Sequence, residues 1–93
     1  MPGTGKRHVR FRGMPKYHLN IFNAVDTYDE EGLELPDLAA AKKAAINGAR
    51  HLMAEHIVAG RPLDLSDRIE IADERGSVLA TLPFREMITI IDR

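Results

Sequence analysis

The sequence predicts a single α+β domain: an antiparallel sheet of three or four strands with one long helix packed on one face, in the order β-(β)-α-β-β. Three features of the 93 residues support this prediction. Apolar residues alternate over 16–23, an alanine-rich stretch with start and stop signals follows Asp37, and two alternating runs flank a turn between 68 and 84. The domain is expected to span residues 14–93.

The first strand is predicted over residues 16–23, where every second residue from Tyr17 to Ile21 is apolar. This period is typical of a strand with one buried face. Asp29-Glu30-Glu31-Gly32 then has turn chemistry, because Asp accepts backbone hydrogen bonds and Gly readily adopts positive φ. The residues that follow, Leu33-Glu34-Leu35, are interpreted as a short second strand.

One long helix is predicted between Asp37 and Gly60. Asp37 is placed to cap the first turn, since its carboxylate accepts hydrogen bonds from the exposed amides there, and Gly60 suits a helix end. At about 100° per residue, one face collects Leu38, Ala41, Ala45, Ala49, Leu52, Met53 and His56. Because the first half of this face is mostly alanine, the helix is expected to lie close against the sheet.

The second half of the chain predicts a β-hairpin. Ile69 and Ile71 alternate with charged residues, and Asp73-Glu74-Arg75-Gly76 has the composition of a type I turn followed by a glycine bulge. Val78–Phe84 then returns as the second strand. Pro83 has no N–H to donate, so it favours a strand end or a sheet edge at this point.

Composition limits the possible functions. The chain has no Cys, 44% apolar and 29% charged residues and a formal net charge of −1, which is typical of a soluble domain without disulfides. No apolar run is long enough to span a membrane and no secretion signal begins the chain, so a cytoplasmic location is expected. Residues 1–13 contain basic but no acidic residues and are expected to form a disordered tail. The remainder is acidic, so nucleic acid is not an expected partner.

No group of residues has the spacing of a catalytic or metal site. His56 lies on the apolar face of the predicted helix and is interpreted as a structural residue. His51 and Glu55 are four residues apart without a third ligand, and Ser66 has neither an esterase turn nor a base beside it in sequence. We therefore expect a protein without enzymatic activity, cofactor or metal ion.

Two motifs together suggest a family. One is the turn, cap and helix start of residues 29–41, which contains Asp-Glu-Glu-Gly and Leu-Pro-Asp-Leu-Ala, and the other is the hairpin of residues 69–84, which ends in Leu-Pro-Phe. With Met14-Pro15 and Tyr17, they make the chain resemble a short bacterial family known as a domain of unknown function, over about residues 14–84. That resemblance implies no catalytic residues. The basic stretch before Met14 departs from the family's usual start.

The order of the elements and the acidic turn before the helix are also similar to HicB-like antitoxin domains. This second, weaker resemblance implies an antitoxin or a nucleic-acid-associated regulator. It rests on the fold alone, and the DNA-binding appendage that such antitoxins often carry has no counterpart in the sequence.

The C-terminal part of the chain predicts a surface for self-association. Val78–Phe84 is apolar on both sides, whereas a single helix covers only one face of a sheet. We expect a homodimer whose surface is formed by Leu79, Met87, Ile88, Ile90 and Ile91. The alternative is that the last ten residues fold back over their own sheet. The predicted function is a non-enzymatic interaction or regulatory module that binds itself and a further, unidentified protein.

Overall fold

A computed structural model describes residues 14–93, and the predicted tail of residues 1–13 lies outside the described residues. The elements are β1 (Lys16–Phe22), β2 (Leu33–Glu34), α1 (Leu38–Val58), β3 (Arg68–Ala72) and β4 (Val78–Pro83), followed by the short 3-10 helix Phe84–Glu86. The four strands form one antiparallel sheet in the order β2-β1-β3-β4. The predicted α+β fold and its element order are confirmed.

The strand register places apolar side chains in rows across one face of the sheet. Leu19 of β1 lies opposite Ile71 of β3, which lies opposite Ala80 of β4. The next row contains Ile21, Ile69 and Leu82. All of these residues belong to the hydrophobic core or pack against it, so this face carries α1.

Helix α1 contacts the sheet through its alanines, as predicted. Ala41, Ala45, Ala49 and Met53 are buried, and their spacing of four residues keeps them on one face. The Asp37 carboxylate accepts a hydrogen bond from the Ala40 amide at 2.9 Å and caps the first turn. After the helix, Gly60 adopts a φ of +71°, which an L side chain rarely adopts.

The hairpin between β3 and β4 has the predicted turn. The Gly76 amide donates to the Asp73 carbonyl at 3.0 Å, and the Asp73 amide donates to the Ser77 carbonyl at 2.9 Å. Gly76 has a φ of +86°, so the turn is type I with a glycine bulge. A further register shift lies near Ala72.

The core combines these alanines with a few larger side chains. Tyr17, Phe84 and Met87 are 7%, 2% and 3% exposed, respectively. The burial of the two aromatic residues agrees with the predicted strand periodicity. Phe84 lies in the 3-10 turn, so β4 ends one residue earlier than predicted.

Candidate functional site

The five residues predicted as a dimer surface do not share one environment. Met87 is only 3% exposed and belongs to the chain's own core, and Ile88 is half-buried against that core. Leu79, Ile90 and Ile91 are 43%, 63% and 69% exposed. Met87 therefore has to be removed from the predicted surface, and the accessible apolar residues are Leu79, Ile90 and Ile91.

Met87 is buried because the chain turns back after β4. Its amide donates to the Phe84 carbonyl at 2.9 Å, and its own carbonyl accepts a hydrogen bond from Nε of Arg50 at 2.8 Å. These bonds hold the start of the C-terminal segment against α1. Met87 and Ile88 therefore fold back onto their own domain, as the alternative interpretation predicted. Ile90 and Ile91 lie at the surface.

Strand β4 forms one edge of the sheet. The Phe84 amide donates to the Asp67 carbonyl at 2.8 Å, which continues the β3–β4 ladder beyond Pro83. Because residues of an antiparallel ladder alternate between facing the partner strand and facing away, Pro83 and Thr81 direct their backbone groups outward. Pro83 thus occupies a position where no N–H is required, as the sequence predicted. No backbone hydrogen bond from residues 14–93 reaches this outer edge.

The sheet face opposite α1 is polar and aromatic. The register places Asn20, Glu70 and Thr81 in one row across it. In the next row, the Arg68 guanidinium lies 4.5 Å from the centre of the Phe22 ring, and its Nε donates to Glu70 at 3.1 Å. This face of the sheet therefore contains hydrogen-bonding groups beside the exposed Leu79 of β4.

The acidic segment before α1 is tied to β1 by Asp29. Its two carboxylate oxygens accept hydrogen bonds from the Leu19 amide at 3.2 Å and the Gly32 amide at 3.0 Å. Its own amide donates to the Asn20 side chain at 2.9 Å. Asp29 therefore has a structural role, as carboxylates in turns often do.

A polar cleft of about 590 Å³ lies where the C-terminal end of α1 meets the start of β3. Its charged and hydroxyl-bearing lining residues are Asp26, His56, Arg61, Asp64, Ser66, Asp67 and Arg68. Sequence analysis considered His56 and Ser66 singly and missed the cleft. Its walls come from segments far apart in sequence, so no local spacing could reveal it.

Two carboxyl groups in the cleft have shifted pKa values. Hydrogen bonds from the Ser66 hydroxyl at 2.6 Å and the Ser66 amide at 2.9 Å hold the pKa of Asp64 below its usual value. Partial burial raises the pKa of Asp67, the Asp64 charge adds to this rise, and His56 opposes it. Asp64 is therefore stabilised as a carboxylate by its hydrogen bonds with Ser66, whereas Asp67 lies in an environment that is less favourable for a negative charge.

The arrangement of the cleft does not form a nucleophile–base pair. The Ser66 hydroxyl donates to Asp64, and Nδ1 of His56 lies 3.1 Å from the Pro62 carbonyl oxygen. Within residues 14–93, no three His, Cys, Asp or Glu side chains come together as a metal site. No helix in that same part of the chain is long and apolar enough to cross a membrane.

The fold and surfaces described above define a small α+β domain with an uncharged edge strand and a polar cleft. The family model of a domain of unknown function, DUF6894, matches residues 16–85, so the chain belongs to this family. This match confirms the resemblance to a short domain-of-unknown-function family. No curated protein and no solved structure shows a significant match to the chain.

Proposed function

We propose that the protein is a non-enzymatic interaction or regulatory module that acts as a homodimer. The observation that carries this proposal is the edge strand β4, which contains no charged residue. Its first two residues, Val78 and Leu79, are 54% and 43% exposed. Edge strands of monomeric proteins usually carry charges that prevent pairing with another chain.

The C-terminal segment supports the same proposal. Ile90 and Ile91 are 63% and 69% exposed and follow β4 by only a few residues. Two consecutive exposed isoleucines lose contact with water when a partner covers them, which is favourable by about 25 cal/mol per Å² of apolar area. The non-enzymatic part of the proposal is supported by the cleft, where the Ser66 hydroxyl donates to Asp64 and His56 Nδ1 lies at the Pro62 carbonyl.

Sedimentation equilibrium at tens of micromolar protein tests the homodimer. The wild-type chain is expected to sediment as a dimer, and Leu79→Ser or Ile91→Ser should shift it toward monomer without changing its circular dichroism spectrum. Glu55→Ser, an exposed change on α1, serves as a control that leaves the dimer intact. A wild-type monomer at every concentration would contradict the proposal.

A nucleic-acid-associated regulator of the HicB-like type is the competing proposal. It is favoured by four basic residues without any acid before Met14: Lys6, Arg7, Arg10 and Arg12. The rest of the chain disfavours it, because the other nine of the thirteen basic residues are outnumbered there by all fourteen acidic ones. The resulting negative charge repels nucleic acid. A mobility shift that falls steeply with salt and requires Arg7, Arg10 and Arg12 would favour the competing proposal.

A further inference from the structure

We propose that two copies of the chain pair through the outer edges of their β4 strands, antiparallel and about a twofold axis at Thr81. The two four-stranded sheets would then form one continuous sheet. This inference rests on the proposed homodimer and specifies how its subunits meet. The partner is a second copy of this chain, and the contact is a ladder of backbone hydrogen bonds between the two β4 strands.

The hydrogen bonds of the hairpin determine which groups face outward. Phe84 donates to Asp67 of the segment before β3, and Leu82 lies two residues earlier on the same side of the ladder. Thr81, opposite Glu70, therefore occupies an outward position between bonded pairs. Its N–H and C=O point away from β3, and no residue of the described range 14–93 accepts or donates there through its backbone.

A twofold axis at Thr81 pairs these groups reciprocally. In an antiparallel pair of identical strands, the Thr81 amide donates to the carbonyl of the partner's Thr81, and the partner's Thr81 amide donates back. The same register keeps the helix-bearing faces of both sheets on one side, because Thr81 lies opposite itself and the side-chain alternation is preserved. Threonine pairs across strands are also favourable contacts.

The other edge of the sheet cannot provide an equivalent ladder. β2 contains only two residues, and Thr27 and Asp29 of the loop between β1 and β2 already bond to the remainder of the outer edge of β1. β4 has six residues, none of them charged. Pro83 lacks an N–H and thus limits pairing at the C-terminal end of β4, which favours a short, defined register.

The substitution Thr81→Pro tests the pairing directly. It removes an N–H that the β3–β4 ladder does not use, so each chain should keep its fold and its circular dichroism spectrum. Dimer affinity should fall by roughly tenfold or more, because two reciprocal hydrogen bonds are lost. Thr81→Val is the matched control, since it retains the N–H and the shape of the side chain, and its affinity should stay near that of the wild type.

Amide hydrogen exchange provides a second measurement on the unmodified chain. The Thr81 amide should be protected at concentrations where the dimer forms and should exchange quickly after dilution to monomer. A dimer with a rapidly exchanging Thr81 amide, or a Thr81→Pro chain that dimerises with wild-type affinity, would overturn the pairing while leaving the homodimer in place. A wild-type chain that never dimerises would overturn the pairing together with the proposed function.

Discussion

Arg50 and Met87 are joined by a hydrogen bond in which Nε of the guanidinium donates to the backbone carbonyl oxygen at 2.8 Å. The bond links the middle of α1 to the segment after β4, 37 residues away in sequence. Arg50→Ala is expected to reduce the free energy of unfolding by about 1–2 kcal/mol, because the half-buried carbonyl loses its charged donor. Urea titration measures this loss. Lys43→Ala, an exposed change earlier on the same helix, should change stability much less. An unchanged midpoint for Arg50→Ala would contradict the role assigned to the bond.

The two ends of the C-terminal segment should respond differently to the same substitution. Met87→Ser places a hydroxyl in the core, where the side chain is 3% exposed, and should cost roughly 2–4 kcal/mol. Ile91→Ser changes a side chain that is 69% exposed and should alter the stability of the monomer by less than about 0.5 kcal/mol. Thermal unfolding at low protein concentration separates the two. Equal losses would mean that Ile91 also belongs to the core.

Gly76 is expected to be required for its backbone conformation alone. A Cβ at this position would meet no atom within 4 Å, yet the φ of +86° is unfavourable for any branched residue. Gly76→Val should therefore cost about 1–2 kcal/mol in a denaturant titration. Gly48→Ala is the matched control, because that helical position is equally open and should gain about 0.5–1 kcal/mol. A Gly76→Val variant that is as stable as the wild type would contradict the conclusion that the backbone at this position is strained for other residues.

Asp67 and Asp64 should affect the pH dependence of stability with opposite signs. A raised pKa means that the folded chain binds the Asp67 proton more tightly than the unfolded chain, so ionised Asp67 lowers stability above its folded-state pKa. Asp67→Asn should therefore be slightly more stable than wild type near neutral pH, by less than about 1 kcal/mol. The difference should shrink as the pH falls toward about 4.

Asp64→Asn is the control for this experiment. The lowered pKa of Asp64 means that its ionised form is favoured by folding, so its contribution is present at neutral pH and disappears as the pH falls through the folded-state pKa. The variant should thus be less stable than wild type at neutral pH and equal to it in acid. Urea titrations over this pH range measure both variants, and differences of the same sign would refute the assigned environments.

The sequence predicts most of the fold because its signals are local. Alternation specifies β1, the Asp37 cap and Gly60 define the ends of α1, and Asp73 with Gly76 defines the hairpin turn. Each signal lies within a few residues of the structure that it determines. The boundaries of the strands consequently differ from the prediction by one residue.

The candidate sites depend on contacts that local patterns do not contain. Four of the five residues from Met87 to Ile91 are apolar, and only the hydrogen bond to Arg50 and the turn at Phe84 determine that Met87 faces inward. The polar cleft likewise joins the end of α1 to residues after β1 and residues before β3. Neither arrangement has a periodic signature, so the sequence could suggest an apolar surface but not which members of it are accessible.

The alanine face of α1 has a consequence for how the helix is held in place. Ala41, Ala45 and Ala49 have no long side chains that interlock with the sheet, so the contact surface is smooth and resists translation along the helix axis only weakly. The axial position of the helix is therefore determined by the hydrogen bond from Arg50 to the Met87 carbonyl, by the packing of Ile46 against the core and by contacts near the two ends. At the start, Asp37 caps the first turn, and toward the C-terminal end Met53 fills the core. Shortening or lengthening the connections at these ends is therefore expected to move the helix along the sheet and to break the Arg50–Met87 hydrogen bond.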